Sequence, residues 1–201
     1  MKDLERALLD IAEVRERLAT TQTFKGYSGV AAAISGALAL IAGGVQAYLV
    51  PNVVDEHGAR IYFAIWLVCC AASIIVNYGA IAHWFVSDVS ARDRWQTRTV
   101  GLSILPALIF GGALSAILLR IGHVALLPGA WYGCYGVGLF ASRTMIPRAV
   151  VPLAAVFMLA GCALLFAPPE LALQWWVMPL GFGLMQLFIG YAIYRARKAA
   201  P

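Results

Sequence analysis

Long apolar stretches make up most of this chain, and short polar or charged segments separate them. Six of these stretches are long enough for a helix to cross a lipid bilayer, which takes about 20 residues at roughly 1.5 Å each. They cover residues 27–50, 61–86, 99–120, 124–142, 149–167 and 172–194. Backbone groups within lipid must be paired inside their own segment, so these stretches are predicted to be helices. The pattern therefore predicts an all-α integral membrane protein with six transmembrane helices.

A different pattern precedes the first apolar stretch. Within residues 3–19, apolar side chains recur at the spacing of one helix face, and the face contains Leu4, Leu8, Ile11 and Leu18. A helix that lies on a membrane surface is normally basic, whereas residues 1–17 carry five acidic and four basic side chains. This amphipathic helix is therefore predicted to contact protein, which can be its own bundle, a second copy of the chain or a cytoplasmic partner.

Composition agrees with a membrane protein. The 201 residues are 62% hydrophobic and 12% charged, with a mean hydropathy of +0.80, whereas globular domains carry about 25% charged residues. The lipid bilayer is thus predicted to be the main partner. The chain divides into an amphipathic helix and linker at 1–26, a six-helix bundle at 27–195 and a basic tail at 196–201.

The distribution of lysine and arginine predicts the orientation. Thirteen of the 15 basic residues fall in the N-terminal segment, the second and fourth loops and the C-terminal tail. Only Arg60 and Arg120 fall in the remaining loops. Because cytoplasmic loops carry the excess of basic residues, both termini are predicted to be cytoplasmic. The net charge of +5 is then a signal of topology and does not indicate nucleic-acid binding.

The fourth and sixth stretches share a pattern of tryptophan, two glycines and leucine, in register. The fourth contains Trp131, Gly136 and Gly138, and the sixth contains Trp176, Gly181 and Gly183. One interpretation is a bundle of three helical hairpins related as parallel repeats. The alternative is coincidence on a shared packing pattern, because glycine is common in membrane helices.

Glycines also form a stripe along the first stretch, where Gly29, Gly36 and Gly43 are seven residues apart. Small residues allow helix backbones to approach closely in membranes. The stripe therefore predicts either packing within the bundle or an interface in a homo-oligomer. In the sixth stretch, Pro179 is expected to kink the helix, and interrupted helices sometimes mark a transporter binding site.

Neutral polar residues provide the candidate site within the bundle. Counted from the tryptophans of the even-numbered stretches, Asn77, Ser142 and Gln186 fall at similar depth, with Tyr78 and Arg143 beside them. This polar layer is open to two interpretations. Its members form hydrogen bonds between helices, or they line a cytoplasm-facing cavity for a small neutral solute.

Motifs of catalysis are absent from the sequence, which has no His-Glu-x-x-His, Gly-Lys-Ser/Thr or Gly-x-Ser-x-Gly pattern. No charged residue falls in the central third of any stretch, which argues against an ion-coupled transporter with buried carboxylates. His57 and His123, in loops that also contain carboxylates, are weak candidates for metal binding. We expect a protein that is not an enzyme, and predict neither a cofactor nor a metal site.

The segments Asp3–Leu8 and Phe24–Tyr27 carry a resemblance to known proteins. Over about the first 30 residues, the chain resembles the leader of uncharacterised multi-pass inner-membrane proteins of proteobacteria. The resemblance implies the bacterial inner membrane and supplies no catalytic residue. Two functions are then in competition. The first is a sensory, anchoring or assembly protein that acts through its N-terminal helix, and the second is a channel or facilitator for a small neutral solute.

Overall fold

A computed structural model describes residue 11 and residues 28–86, 91–144 and 146–199 of the chain. Within these ranges the regular elements are helices and there is no strand. The α-helices are α1 (Gly29–Leu49), α2 (Glu56–Val86), α3 (Ala91–Arg120), α4 (Leu127–Ala141), α5 (Val151–Leu165), α6 (Pro169–Ala172) and α7 (Gln186–Ala199). Short 3-10 turns precede α4 and α5 at Val124–Leu126 and Arg148–Val150, and a π-helical segment, Pro179–Met185, leads directly into α7.

Five helical segments in the described residues are long and apolar enough to cross a membrane. They are Gly29–Leu49, Glu56–His83, Ser103–Arg120, Val124–Ala141 and Arg148–Leu165. Their large apolar side chains point outward in many places, as at Val30, Ile41 and Leu159, which are 66%, 63% and 71% exposed. Such a surface suits lipid rather than water. The prediction of a helical membrane protein is confirmed at this level.

Local chemistry explains where two of the helices begin and end. Helix α2 begins at Glu56, earlier than the predicted residue 61, because Asp55 Oδ1 accepts a hydrogen bond of 2.8 Å from Gly58 N and caps the first turn. The turn between α3 and α4 contains Gly122 with φ of 76°. Glycine tolerates this left-handed conformation, which reverses the chain within a few residues.

The sixth apolar stretch, predicted as a helix over 172–194 with a kink at Pro179, differs most from expectation. The chain forms the short helix α6, turns, and resumes as helix at residue 177. Seven residues from Pro179 to Met185 are π-helical, and α7 then continues to Ala199. The π-helical segment begins at Pro179, the residue that is predicted to kink this stretch.

The helices pack in an order that only partly follows the three predicted hairpins. Helix α1 packs on α2, and α3 packs on α4. Helix α5 packs along α4, whereas α7 and the π-helical segment pack along α1. The contact between the fifth and sixth stretches runs through side chains, as between the rings of Phe157 and Phe182. Helix α1 at the start of the bundle is therefore a neighbour of the π-helical segment and α7 at its end.

Candidate functional site: the buried polar and aromatic residues of the bundle

Gln46 of α1 lies at the meeting point of three segments and is completely buried. Its Nε2 donates to the Leu173 carbonyl, and its Oε1 accepts from Trp66 Nε1, both at 2.9 Å. The side chain thus ties α1 to α2 and to the turn before the π-helical segment. The sequence interpretation missed this residue, although Gln46 is the one amide side chain in residues 27–50, which is a signal that could have identified it.

A second group joins α2, α3 and α4 in the same half of the bundle. The rings of Tyr62 and Trp131 are parallel to within 3°, with centroids 6.4 Å apart. Trp131 Nε1 donates to Ser115 Oγ at 2.7 Å, and Ser115 donates onward to the Gly111 carbonyl at 2.6 Å. Tyr62 is fully buried, and no described residue forms a hydrogen bond with its hydroxyl.

The π-helical segment contributes one ring, Phe182, to a cluster of four aromatic rings. The contacting rings have centroids 4.8–5.5 Å apart, at the tilted and edge-on angles that aromatic pairs favour. The four residues are Tyr132, Tyr135, Phe157 and Phe182. The Tyr132 hydroxyl donates to the Val177 carbonyl. An ideal Cβ on Gly181 would overlap that same hydroxyl. Tyr132 therefore fits only because residue 181 has no side chain.

The predicted polar layer is divided among separate partners. The Tyr135 hydroxyl donates to Gln186 Oε1 at 2.8 Å. Asn77 Nδ2 donates to Ser35 Oγ of α1 and to the Ser73 carbonyl, both at 2.8 Å. The bond from Tyr135 joins α4 to α7 and the bond to Ser35 joins α2 to α1, whereas the bond to Ser73 lies within α2. The two bonds between helices agree with the packing interpretation of the polar layer.

Two other members of the predicted layer, Ser142 and Arg143, bond within their own segment. Ser142 is buried and its hydroxyl donates to the Gly138 carbonyl at 3.1 Å. Arg143 is exposed, with its guanidinium 4.7 Å from the centroid of the Phe140 ring. Tyr78 is 39% exposed. Among the described residues, no hydrogen bond joins Asn77, Ser142 and Gln186 to one another.

The glycine stripe of α1 lies against the last span. An ideal Cβ on Gly29 would lie 2.6 Å from the Gly190 carbonyl oxygen, and one on Gly36 would lie 2.8 Å from that of Gly183. At Gly43 a Cβ would overlap the Pro179 ring. Real Cβ atoms do not approach so closely, so each position needs glycine. Packing within the bundle therefore accounts for the stripe.

The predicted glycines of the later spans are also at helix contacts. A Cβ on Gly136 would lie 2.8 Å from Met158 N of α5, and one on Gly138 would lie 3.3 Å from Ala107 Cβ of α3. Gly183 lies against the Leu40 side chain of α1. All of these glycines bring helices together.

Charged and metal-binding chemistry lies outside the interior of the bundle. Every Asp, Glu, Lys and Arg side chain whose burial is described is exposed. His57 and His123 are exposed as well. In the described ranges no group of three or more His, Cys, Asp or Glu side chains is placed to hold a metal ion. The described interior thus offers hydroxyl, amide and indole groups but no buried acid or base.

The predicted partner helix is almost entirely outside the described residues. This holds for Leu4, Leu8 and Leu18, while Ile11 is described as helical and is 51% exposed.

Comparisons with models of protein families, with curated proteins and with solved structures find no match to this chain.

Proposed function

We propose that this protein is a non-enzymatic membrane anchor that acts in sensing or assembly through its N-terminal cytoplasmic helix. The packing of the first span against the last supports a closed bundle. Gly29, Gly36 and Gly43 bring the two spans together along the whole of α1. A bundle closed in this way holds the cytoplasmic segments of the chain at fixed positions, which suits an anchor.

The interior chemistry also favours an anchor over an enzyme. The buried polar side chains described are Ser35, Gln46, Ser115 and Ser142. Each takes part in a hydrogen bond inside the bundle. Hydrogen bonds that buried polar side chains make inside the bundle stabilise its packing arrangement. General acid and base catalysis commonly uses a carboxylate, histidine or lysine held in a site, and every such side chain whose burial is described lies on the outside of the bundle.

The proposal includes six spans, both termini in the cytoplasm and the bacterial inner membrane. The distribution of basic residues supports the orientation, and the helix through the π-helical segment supports a sixth span. Reporter fusions test it, with a fluorescent protein that folds only in the cytoplasm and a phosphatase active only outside. Six spans require the same result at both termini, whereas opposite results at Met1 and Pro201 would give an odd number of spans.

Site-specific photocrosslinking tests the role of the N-terminal helix. A crosslinker at Leu8 probes its apolar face, and one at Arg6, two residues away, is the matched control on the polar face. We expect Leu8 to give a protein adduct, either with a cytoplasmic partner or with a second copy of the chain, and Ile11→Asn to abolish it. Adducts only with lipid or with the chain's own bundle would refute a sensory or assembly role.

The alternative, a facilitator for a small neutral solute, has less support. Its glycine-lined path would run past Gly136 and Gly183, which lie against Met158 and Leu40. The flux of neutral solutes into liposomes decides between the two functions. A flux that a folded variant such as Gly183→Leu abolishes would favour the facilitator, and the absence of any flux favours the anchor.

A further inference from the structure

A shallow apolar groove runs between α1 and α7 on the outside of the bundle. Its volume is about 470 Å³. Val30, Ile34 and Ala37 line it from α1, and Leu187 and Tyr191 line it from α7. Such a concave strip is open along its length and suits a linear apolar group.

Two facing glycines form the floor of the groove. A Cβ built on Gly29 would lie 2.6 Å from the Gly190 carbonyl oxygen, and one on Gly190 would lie 2.6 Å from the Gly29 carbonyl oxygen. The backbones therefore touch at this point, and the larger side chains on either side stand above it. Small residues at the crossing thus create a depression that neither helix would have alone.

One end of the groove is basic. Arg195 and Lys198 are exposed on α7, and the Arg195 guanidinium lies 6.0 Å from the centroid of the Tyr191 ring. The acidic side chains whose burial is described, Asp55, Glu56 and Glu170, fall near the opposite ends of these spans. Hence no described carboxylate neutralises the two basic groups.

We propose that this groove binds one anionic phospholipid. An acyl chain lies along the apolar strip, and the phosphate headgroup lies beside Arg195 and Lys198. Basic pockets between transmembrane helices are known to hold anionic headgroups. Tyrosine rings favour the level of the headgroups, and Tyr191 and Tyr194, at the basic end, are 56% and 58% exposed. This site goes beyond the proposed anchoring function and does not depend on it.

Native mass spectrometry of the purified protein in a non-ionic detergent tests the proposal. Phosphatidylglycerol and phosphatidylcholine with identical acyl chains are added separately, and retained lipid is measured against lipid concentration. We expect tighter binding of phosphatidylglycerol. The double variant Arg195→Gln/Lys198→Gln should weaken that binding about 30-fold, since each basic group near a membrane surface contributes about fivefold. Ala37→Phe, which fills the groove, should weaken binding of phosphatidylglycerol at least as much.

Matched variants separate this site from general lipid attraction. Arg143→Gln/Arg148→Gln removes two exposed arginines away from the groove, and Gly44→Phe places a ring on α1 where a Cβ meets nothing within 4 Å. Both should bind phosphatidylglycerol as the native protein does. The proposal is overturned by equal affinity for the two lipids, by equal losses in the two charge variants, or by unchanged binding in Ala37→Phe. Thermal unfolding confirms that each variant is folded.

Discussion

Replacing Gln46 by leucine keeps a side chain of similar size but removes two buried hydrogen bonds. The Trp66 indole N–H and the Leu173 carbonyl each lose a partner that is 2.9 Å away. Hydrogen bonds between membrane helices average about 0.6 kcal/mol, and leaving a buried group unpaired costs about 1–3 kcal/mol. We therefore expect Gln46→Leu to lower the free energy of unfolding by about 2–3 kcal/mol.

The partner Trp66 makes a double-mutant cycle possible. Trp66→Phe alone leaves Gln46 Oε1 unpaired, so its cost includes both the lost bond and the lost indole packing. When both residues are replaced, the indole N–H and the amide oxygen are both removed, so neither remains buried without its partner. The double variant should therefore be more stable than the sum of the single losses by about 1 kcal/mol.

Unfolding in mixed micelles of mild detergent and dodecyl sulfate measures these differences. Circular dichroism at helical wavelengths is the appropriate signal, because replacing a tryptophan changes the fluorescence itself. Val45→Leu, at a position 40% exposed beside Gln46, is the control and should unfold like the native protein. Native stability in Gln46→Leu, or strictly additive losses in the double variant, would refute the assignment of Gln46 as a tie between the spans.

Three further substitutions test individual contacts. Gly36→Ala should destabilise the bundle, because its Cβ would lie 2.8 Å from a carbonyl oxygen. Gly44→Ala should be neutral or slightly stabilising, since nothing lies within 4 Å of a Cβ there. Unfolding of both variants in mixed micelles measures the difference, and equal losses of stability would contradict close packing at Gly36. Tyr62→Phe should raise the free energy of unfolding by about 1 kcal/mol, because it removes a buried hydroxyl that no described residue satisfies. A decrease of similar size in the free energy of unfolding would show that the hydroxyl is hydrogen-bonded. Tyr132→Phe should free the Val177 carbonyl and favour ordinary α-helix in the π-helical segment, measurable as altered amide hydrogen exchange there but not in α2.

Much of the fold follows from physical rules that act along one helix. The apolar lengths of the stretches predict six helices, and five helical segments among the described residues are long and apolar enough to cross a membrane. The sevenfold spacing of the glycines in α1 predicts a close helix contact, although it does not say with which helix. That partner is the π-helical segment with α7, which is distant in sequence. The choice of partner depends on how the whole bundle closes.

The hydrogen-bond partners in the candidate site are harder to predict from the sequence than the helices are. Depth in the membrane can be counted along a helix, and the prediction that Asn77, Ser142 and Gln186 form one layer depends on their similar depth alone. A hydrogen bond also requires that two helices are rotated to present their side chains to each other. Asn77 faces Ser35 of α1, and Gln186 faces Tyr135 of α4. Counting residues along one span cannot predict how that span is rotated relative to its neighbours.

The π-helical segment arises from a contact between distant parts of the chain. In an α-helix the carbonyl of Val177 would accept from the N–H of Gly181, four residues later. The Tyr132 hydroxyl donates to that carbonyl and also lies against Gly181. A side chain that enters the ladder between these two groups forces the turn to widen. Pro179 lies in the first turn of the helix that resumes at residue 177, where its missing N–H removes no bond of the helix. The sequence of the sixth stretch contains the glycine that makes room for this contact, but the tyrosine that completes the contact belongs to α4.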